Sequence, residues 1–212
     1  MLCMAGTLPA GIRRGGISLK RRHLLAGFAL CGAAVPVLAQ ASRDPVSSRG
    51  PALLTVSGHI AAGNRGPLDP ALDQLMKKHG VEFTRAYSFD FAALGALPAT
   101  AIAPTLEYDN RQHRLTGPLL SRVLRAAGAQ TNETTRLLLR AIDGYTALVP
   151  LAEVDRFRFI VATHLDGQPI PLGGLGPLWA VYEPDAFPEM ASKPASERFA
   201  LCPWGLYHVE VQ

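Results

Sequence analysis

Short alternating runs dominate the hydrophobic pattern of this chain. Beyond residue 51, apolar and polar side chains alternate over stretches of five to nine residues, and Gly, Pro or Asp closes most of them. LLTVSGHI (53–60) places Leu54, Val56 and Ile60 on one face, which reads as a strand. TAIAPTLEY (100–108) alternates as well, although Pro104 confines it to a sheet edge or a bulge. RLLLRAI (136–142) and FRFIVATHL (157–165) are further strands, with Asp166-Gly167 after the latter as a two-residue hairpin turn. Shorter strands are expected near 81–87, 178–182 and 204–211.

Only two segments carry a substantial helical period. One follows Asp69-Pro70, bears Leu72, Leu75 and Met76, and stops at Gly80. The other opens at Thr116-Gly117-Pro118, turns Leu119, Leu120, Val123 and Leu124 inward, and ends at Gly128. Small helical turns are expected over Phe91–Leu97 and 151–155. Strands outnumber helices and do not alternate with them. That order predicts an α+β fold with mixed or antiparallel sheets and a few helices, and fits a doubly wound parallel sheet less well.

Charge separates the chain into two parts. The formal charge is +4, from 21 Lys and Arg against 17 Asp and Glu. Arg13, Arg14, Lys20, Arg21 and Arg22 all lie in residues 1–39, which contain no acid; the remainder has 16 bases against 17 acids, about −1. Nothing in that remainder points to a nucleic-acid partner. The basic stretch leads into an apolar run from Leu24 to Leu38, with Val37 and Ala39 placed as a signal-cleavage site and Ala39 and Ala41 as a second. The run makes about 22 Å of helix, short of the roughly 30 Å a bilayer core needs, so no stable membrane anchor is expected. Arg21-Arg22 before His23-Leu24-Leu25 is similar to a twin-arginine signal, and the general secretory route stays open. The expected organisation is a signal peptide over 1–39, a Ser/Pro-rich linker over 40–51 and one domain over 52–212, periplasmic or secreted.

Portable catalytic motifs are absent: there is no GxSxG, GxxxxGK[ST], HExxH or CxxC. His59, His79, His113, His164 and His208 show no i,i+3 or i,i+4 pair, so no local metal site is expected. His79 reads as a helix C-terminal base and His59 as a surface side chain. Cys202 is the single cysteine beyond the leader, which leaves no disulfide and no cysteine-based zinc cluster; it reads as a small buried apolar residue. Trp179 and Trp204 read as core. Asp143-Gly144-Tyr145-Thr146 stands apart: glycine permits a positive φ, and two hydroxyls sit at a strand end where a ligand can rest.

The run AIDGYTALVPLAEVDRFRFIVATHLDGQPIPLGGLGPLWAVYEPD (141–185) resembles the molybdopterin-binding domain of the sulfite oxidase family of oxidoreductases. The DGYT segment, the Asp-Gly hairpin with its prolines and the Gly-Gly turn occur in that family's order. RLTGPLLSRVLRAAGA (114–129) is similar to the family's helix, with Leu115 where an aromatic is usual. The resemblance spans roughly 52–183 and implies a sulfite oxidase-like fold holding a molybdopterin-type cofactor. It places Asp143, Gly144, Tyr145, Thr146, Gly173 and Gly174 in loops near the pterin, with Arg65, Arg111, His113 and Arg114 as the bases for an anionic group. Catalytic members ligate molybdenum through a cysteine shortly before that helix; here residues 103–110 read APTLEYDN. A soft thiolate ligand is therefore missing, and no residue is assigned to a metal. The resemblance implies an exported molybdopterin-dependent oxidoreductase-like protein without a cysteine-ligated molybdenum. The alternative is a periplasmic module that binds or senses a small ligand, having kept the fold and lost the metal.

Overall fold

A computed structural model describes residues 50–212. The expected signal peptide over 1–39, and all but the last two residues of the 40–51 linker, lie outside the described residues. Among those described, eleven short strands and six short helices replace the seven strands and two helices of the hydrophobic pattern.

The largest sheet has five strands in the order β2 (Tyr87–Phe89), β1 (Leu54–Gly58), β11 (Leu206–Val211), β5 (Arg136–Ala141) and β6 (Thr146–Pro150). Only β1 and β11 pair in parallel, so the sheet is mixed. Its first face carries Leu54, Val56, Phe89, Leu137, Leu139, Val149, Val209 and Val211, all buried in one core. Leu120, Val123 and Leu124 of α3 (Leu120–Ala126) and Val154 of α4 (Leu151–Arg156) join the same core. Burying such a side chain contributes roughly 1.5–3 kcal/mol each, which makes this face the main source of stability.

The other face of that sheet is polar. The register pairs Thr55 with both Ser88 and His208, Ser57 with Glu210, and His208 with Arg140, so these side chains point one way. Thr55, Ser57, Arg140 and His208 are nevertheless buried, because the segment from 59 to 86 folds over them. A ring contact between Phe83 and His208, and a 2.9 Å hydrogen bond between His79 Nδ1 and the Tyr207 hydroxyl, mark that cover. A register shift between Leu206 and His208 brings Tyr207 onto this side.

The remaining strands form a four-stranded antiparallel sheet, β3 (Ala99–Ile102), β4 (Leu115–Pro118), β8 (His164–Leu165) and β9 (Gln168–Pro169), and a pair, β7 (Ile160–Ala162) with β10 (Trp179–Val181). Pro104 does end β3, which lies at a sheet edge. Asp166 and Gly167, at φ 48° and 79°, make the hairpin turn between β8 and β9.

Four expected elements need correction. Thr116-Gly117-Pro118 does not open a helix; it is strand β4, and the helix starts at Leu120. The reason is tertiary: a Cβ on Gly117 would lie 1.9 Å from the Val161 carbonyl oxygen, so glycine here admits a neighbouring backbone. The strand expected at 81–87 lies instead at Tyr87–Phe89. The single strand over 157–165 is divided, since Phe157 caps α4, Arg158 takes φ 56°, and β7 and β8 enter different sheets. The first helix is also shorter than its pattern, Gln74–Lys78, with Leu72 82 % exposed in the preceding turn. Asp69 still caps that turn, accepting from the Ala71 and Leu72 amides at 2.8 and 3.2 Å.

Candidate functional site

The hairpin turn between β5 and β6 positions the DGYT segment. Asp143 Oδ1 accepts from the Tyr145 amide at 2.8 Å, and Gly144 takes φ 93°, the left-handed conformation expected of it. The Tyr145 hydroxyl donates to the Ala200 carbonyl at 2.5 Å, which ties the turn to the segment leading into β11. Between them lies a cavity of about 210 Å³. Glu107, Tyr108, Asp143, Tyr145, Cys202 and Trp204 are among its lining residues. Thr146 is exposed at the start of β6 and is not among them.

This cavity joins two parts of the sequence reading. Glu107 and Tyr108 belong to the 103–110 segment, where the family resemblance would place a cysteine, and Asp143 and Tyr145 to the DGYT turn. Cys202 is buried as expected, and burial pushes its thiol well above the ordinary range, with the nearby Glu107 charge adding to a shift that a hydrogen bond from the Tyr182 backbone only partly offsets. The thiol is therefore neutral at physiological pH. Burial, then the Glu107 charge, raises the Tyr108 phenol to about 12. Trp179 is fully buried, its indole N–H donating to the Cys202 carbonyl at 2.9 Å. Trp204 is only half-buried and lines the cavity, so the expectation of core for both tryptophans holds for Trp179 alone.

The other expected site residues lie elsewhere. Gly173 and Gly174 sit in an exposed loop, Gly173 at φ 93° with open space where a Cβ would stand. The neighbouring Leu172, 72 % exposed, lines a second cavity of about 390 Å³ with Leu72, Leu75, Met76 and Tyr207. Arg65 reaches this second cavity, but it forms an ion pair with Asp73 and lies over the Phe83 ring at 5.1 Å. His113 is held between two carboxylates, Asp166 on Nδ1 at 2.7 Å and Asp109 on Nε2 at 2.9 Å. The Asp166 bond first, then the Asp109 bond, raises its pKa. Asp109 also accepts from the Arg111 amide and Asp166 from the Arg114 amide, at 3.0 and 2.9 Å. Arg111 and His113 are thus brought together, but opposite two acids, and neither lines a cavity with Arg65.

Sequence reasoning missed a buried polar chain on the covered face of the five-stranded sheet. Ser57 Oγ lies 2.9 Å from His208 Nε2, Arg140 Nη1 lies 3.3 Å from His208 Nδ1, and Arg140 Nη1 donates to Glu210 at 2.7 Å. An arginine can only donate, so Nδ1 accepts and Nε2 carries the proton to Ser57. Burial, and then the Arg140 charge, lowers the His208 pKa to about 4. The signal was available as polar residues at every second position of β1 and β11, opposite the apolar face.

A pterin-molybdenum group needs a soft donor for the metal and cations for its phosphate. The one cysteine among the described residues is a buried neutral thiol, and no three His, Cys, Asp or Glu side chains among them are grouped to hold a metal ion. Arg65 and His113 are already paired with carboxylates. Among the described residues the metal of that group finds no soft donor.

No protein-family model matches the sequence, and no curated protein is significantly similar to it. Among solved structures, the chain is similar to the sulfane dehydrogenase SoxCD from Paracoccus pantotrophus, with a TM-score of 0.50 and 13 % identity over 74 % of this chain. It spans 37 % of that neighbour's length. The likeness is one of fold: an α+β architecture with mixed and antiparallel sheets, shared with part of a dehydrogenase.

Proposed function

We propose that this chain is an exported protein of oxidoreductase-like fold that binds a small ligand in the cavity between residues 107–108, 143–145 and 202–204, without a cysteine-ligated molybdenum. The observation that carries this reading is the make-up of that cavity. It lies where the family resemblance puts the metal-ligating segment and the DGYT turn, and it offers carboxylates, phenols and an indole around a neutral, buried thiol. Its volume, about 210 Å³, is below the roughly 300 Å³ of pockets for drug-sized ligands, so the ligand is small. The lining side chains would orient it by hydrogen bonds and ring contacts. The test is mass spectrometry of small molecules released on denaturing protein purified from its native host, together with metal analysis and pterin fluorescence. A released small molecule without stoichiometric molybdenum or pterin is the expected result.

A second reading, a molybdopterin-dependent oxidoreductase, draws on the order of the DGYT, Asp-Gly and Gly-Gly elements and on the fold shared with a dehydrogenase. Stoichiometric molybdenum with pterin, and redox turnover lost when the host's cofactor pathway is disabled, would establish it over the first. Export is part of both readings and rests on the Arg21-Arg22 leader. N-terminal sequencing of the mature protein checks it, with cleavage expected near Ala39 or Ala41.

A further inference from the structure

The charge around the small cavity is one-sided. Glu107 and Asp143 contribute carboxylates, and no Lys, Arg or His is among the lining residues. Asp143 spends one oxygen on the Tyr145 amide and keeps the other. Glu107 lines the same cavity beside Tyr108 and Cys202. The walls between these acids are aromatic: Tyr108, Tyr145, Phe199 and Trp204. Tyr145 is fixed by its hydrogen bond to Ala200, so its ring is presented in one orientation.

Two carboxylates beside an aromatic enclosure repel an anion and attract a cation, and the negative face of a π system does the same. Calcium and magnesium take oxygen ligands and would leave the aromatic walls unused. A compact organic cation satisfies both the charge and the apolar walls. We infer that this cavity binds a small alkylammonium compound, its charged head between Glu107 and Asp143 and its methyl or methylene groups against Tyr108 and Trp204. The inference rests on the reading of the cavity as a ligand site and names the class of ligand.

The test titrates the purified chain, freed of bound small molecules, with choline. The neutral isostere 3,3-dimethylbutan-1-ol and sodium acetate serve as comparators, and binding is read by calorimetry and by tryptophan fluorescence. Choline is expected to bind and to change the fluorescence through Trp204, with the alcohol about tenfold weaker or more and acetate silent. Glu107→Gln and Asp143→Asn should each weaken choline by about tenfold. The Asn amide oxygen can still accept from the Tyr145 amide, so unchanged urea midpoints would show both variants folded. Equal binding of the alcohol, binding of acetate, or amide variants with unaltered affinity would overturn the cation inference. No choline binding would overturn it too, whereas the ligand-site reading stands or falls on the small molecules released from the native protein.

Discussion

His208 and His113 each have both ring nitrogens in hydrogen bonds, yet their surroundings shift the two rings in opposite directions. Around His208 the partners are a hydroxyl and a guanidinium, on a sheet face closed over by the 59–86 segment. Around His113 they are two carboxylates, on a loop and a hairpin open to solvent. Burial and Arg140 hold His208 neutral, and Asp166 and Asp109 favour the imidazolium of His113. The difference teaches that a charged residue in this chain serves the fold where it is buried and a local tether where it is exposed.

The largest effect should come from breaking the buried chain. Arg140→Met leaves the Glu210 carboxylate without its cation and His208 Nδ1 without a donor, at about 3–5 kcal/mol in urea unfolding. Glu210 should then titrate higher, because burial is the strongest single influence on its carboxyl and raises its pKa, while the Arg140 hydrogen bond and charge that help to lower it are gone. Adding Glu210→Leu should recover part of the loss, since the apolar pair removes the stranded charge.

Acid should separate the two histidines next. The folded-state pKa of His208 is lowered from 6.5 to about 4, so its contribution is full above pH 6.5 and lost as pH falls from 6.5 to 4. The change amounts to on the order of 3 kcal/mol, and it should be absent in His208→Gln when unfolding is compared at pH 7 and pH 4. A wild-type and variant pair with the same acid sensitivity would contradict the buried neutral assignment.

His113 should behave in the opposite sense and more weakly. Its pKa is raised above 6.5 and those of Asp109 and Asp166 are lowered below 3.8. The tether is therefore complete between those two ordinary values and fades as pH rises through the folded pKa of His113. His113→Gln should leave the global urea midpoint unchanged while amide exchange in the 164–169 hairpin accelerates. A shift of the global midpoint as large as that of Arg140→Met would erase the contrast.

The same contrast explains how much was legible beforehand. The α+β class, the edge position of the 100–108 segment, the Asp166-Gly167 hairpin and the positive φ at Gly144 all follow from spacing within a few residues, and all are present. Thr-Gly-Pro before a helical period is also a helix-start pattern, and only the approach of the Val161 carbonyl to Gly117 makes this segment a strand. Within the site, the DGYT turn was visible as a turn. Its neighbours Glu107 and Trp204 were not, because they reach it from segments about 36 and 61 residues away, which no local pattern relates. Arg65 and His113 were legible as bases but not as bases already paired with carboxylates.

The amino-acid sequence by itself determined the pieces: which runs extend, where they turn, and that strands dominate, since these depend on alternation and on the backbone preferences of Gly, Pro and Asp. The tertiary structure alone decided that the polar face of the five-stranded sheet is buried as well as the apolar one, that a histidine on it stays uncharged, and that two acids and several rings share one small cavity. Burial and pairing are properties of what packs against a residue, and that is settled by segments distant in the chain.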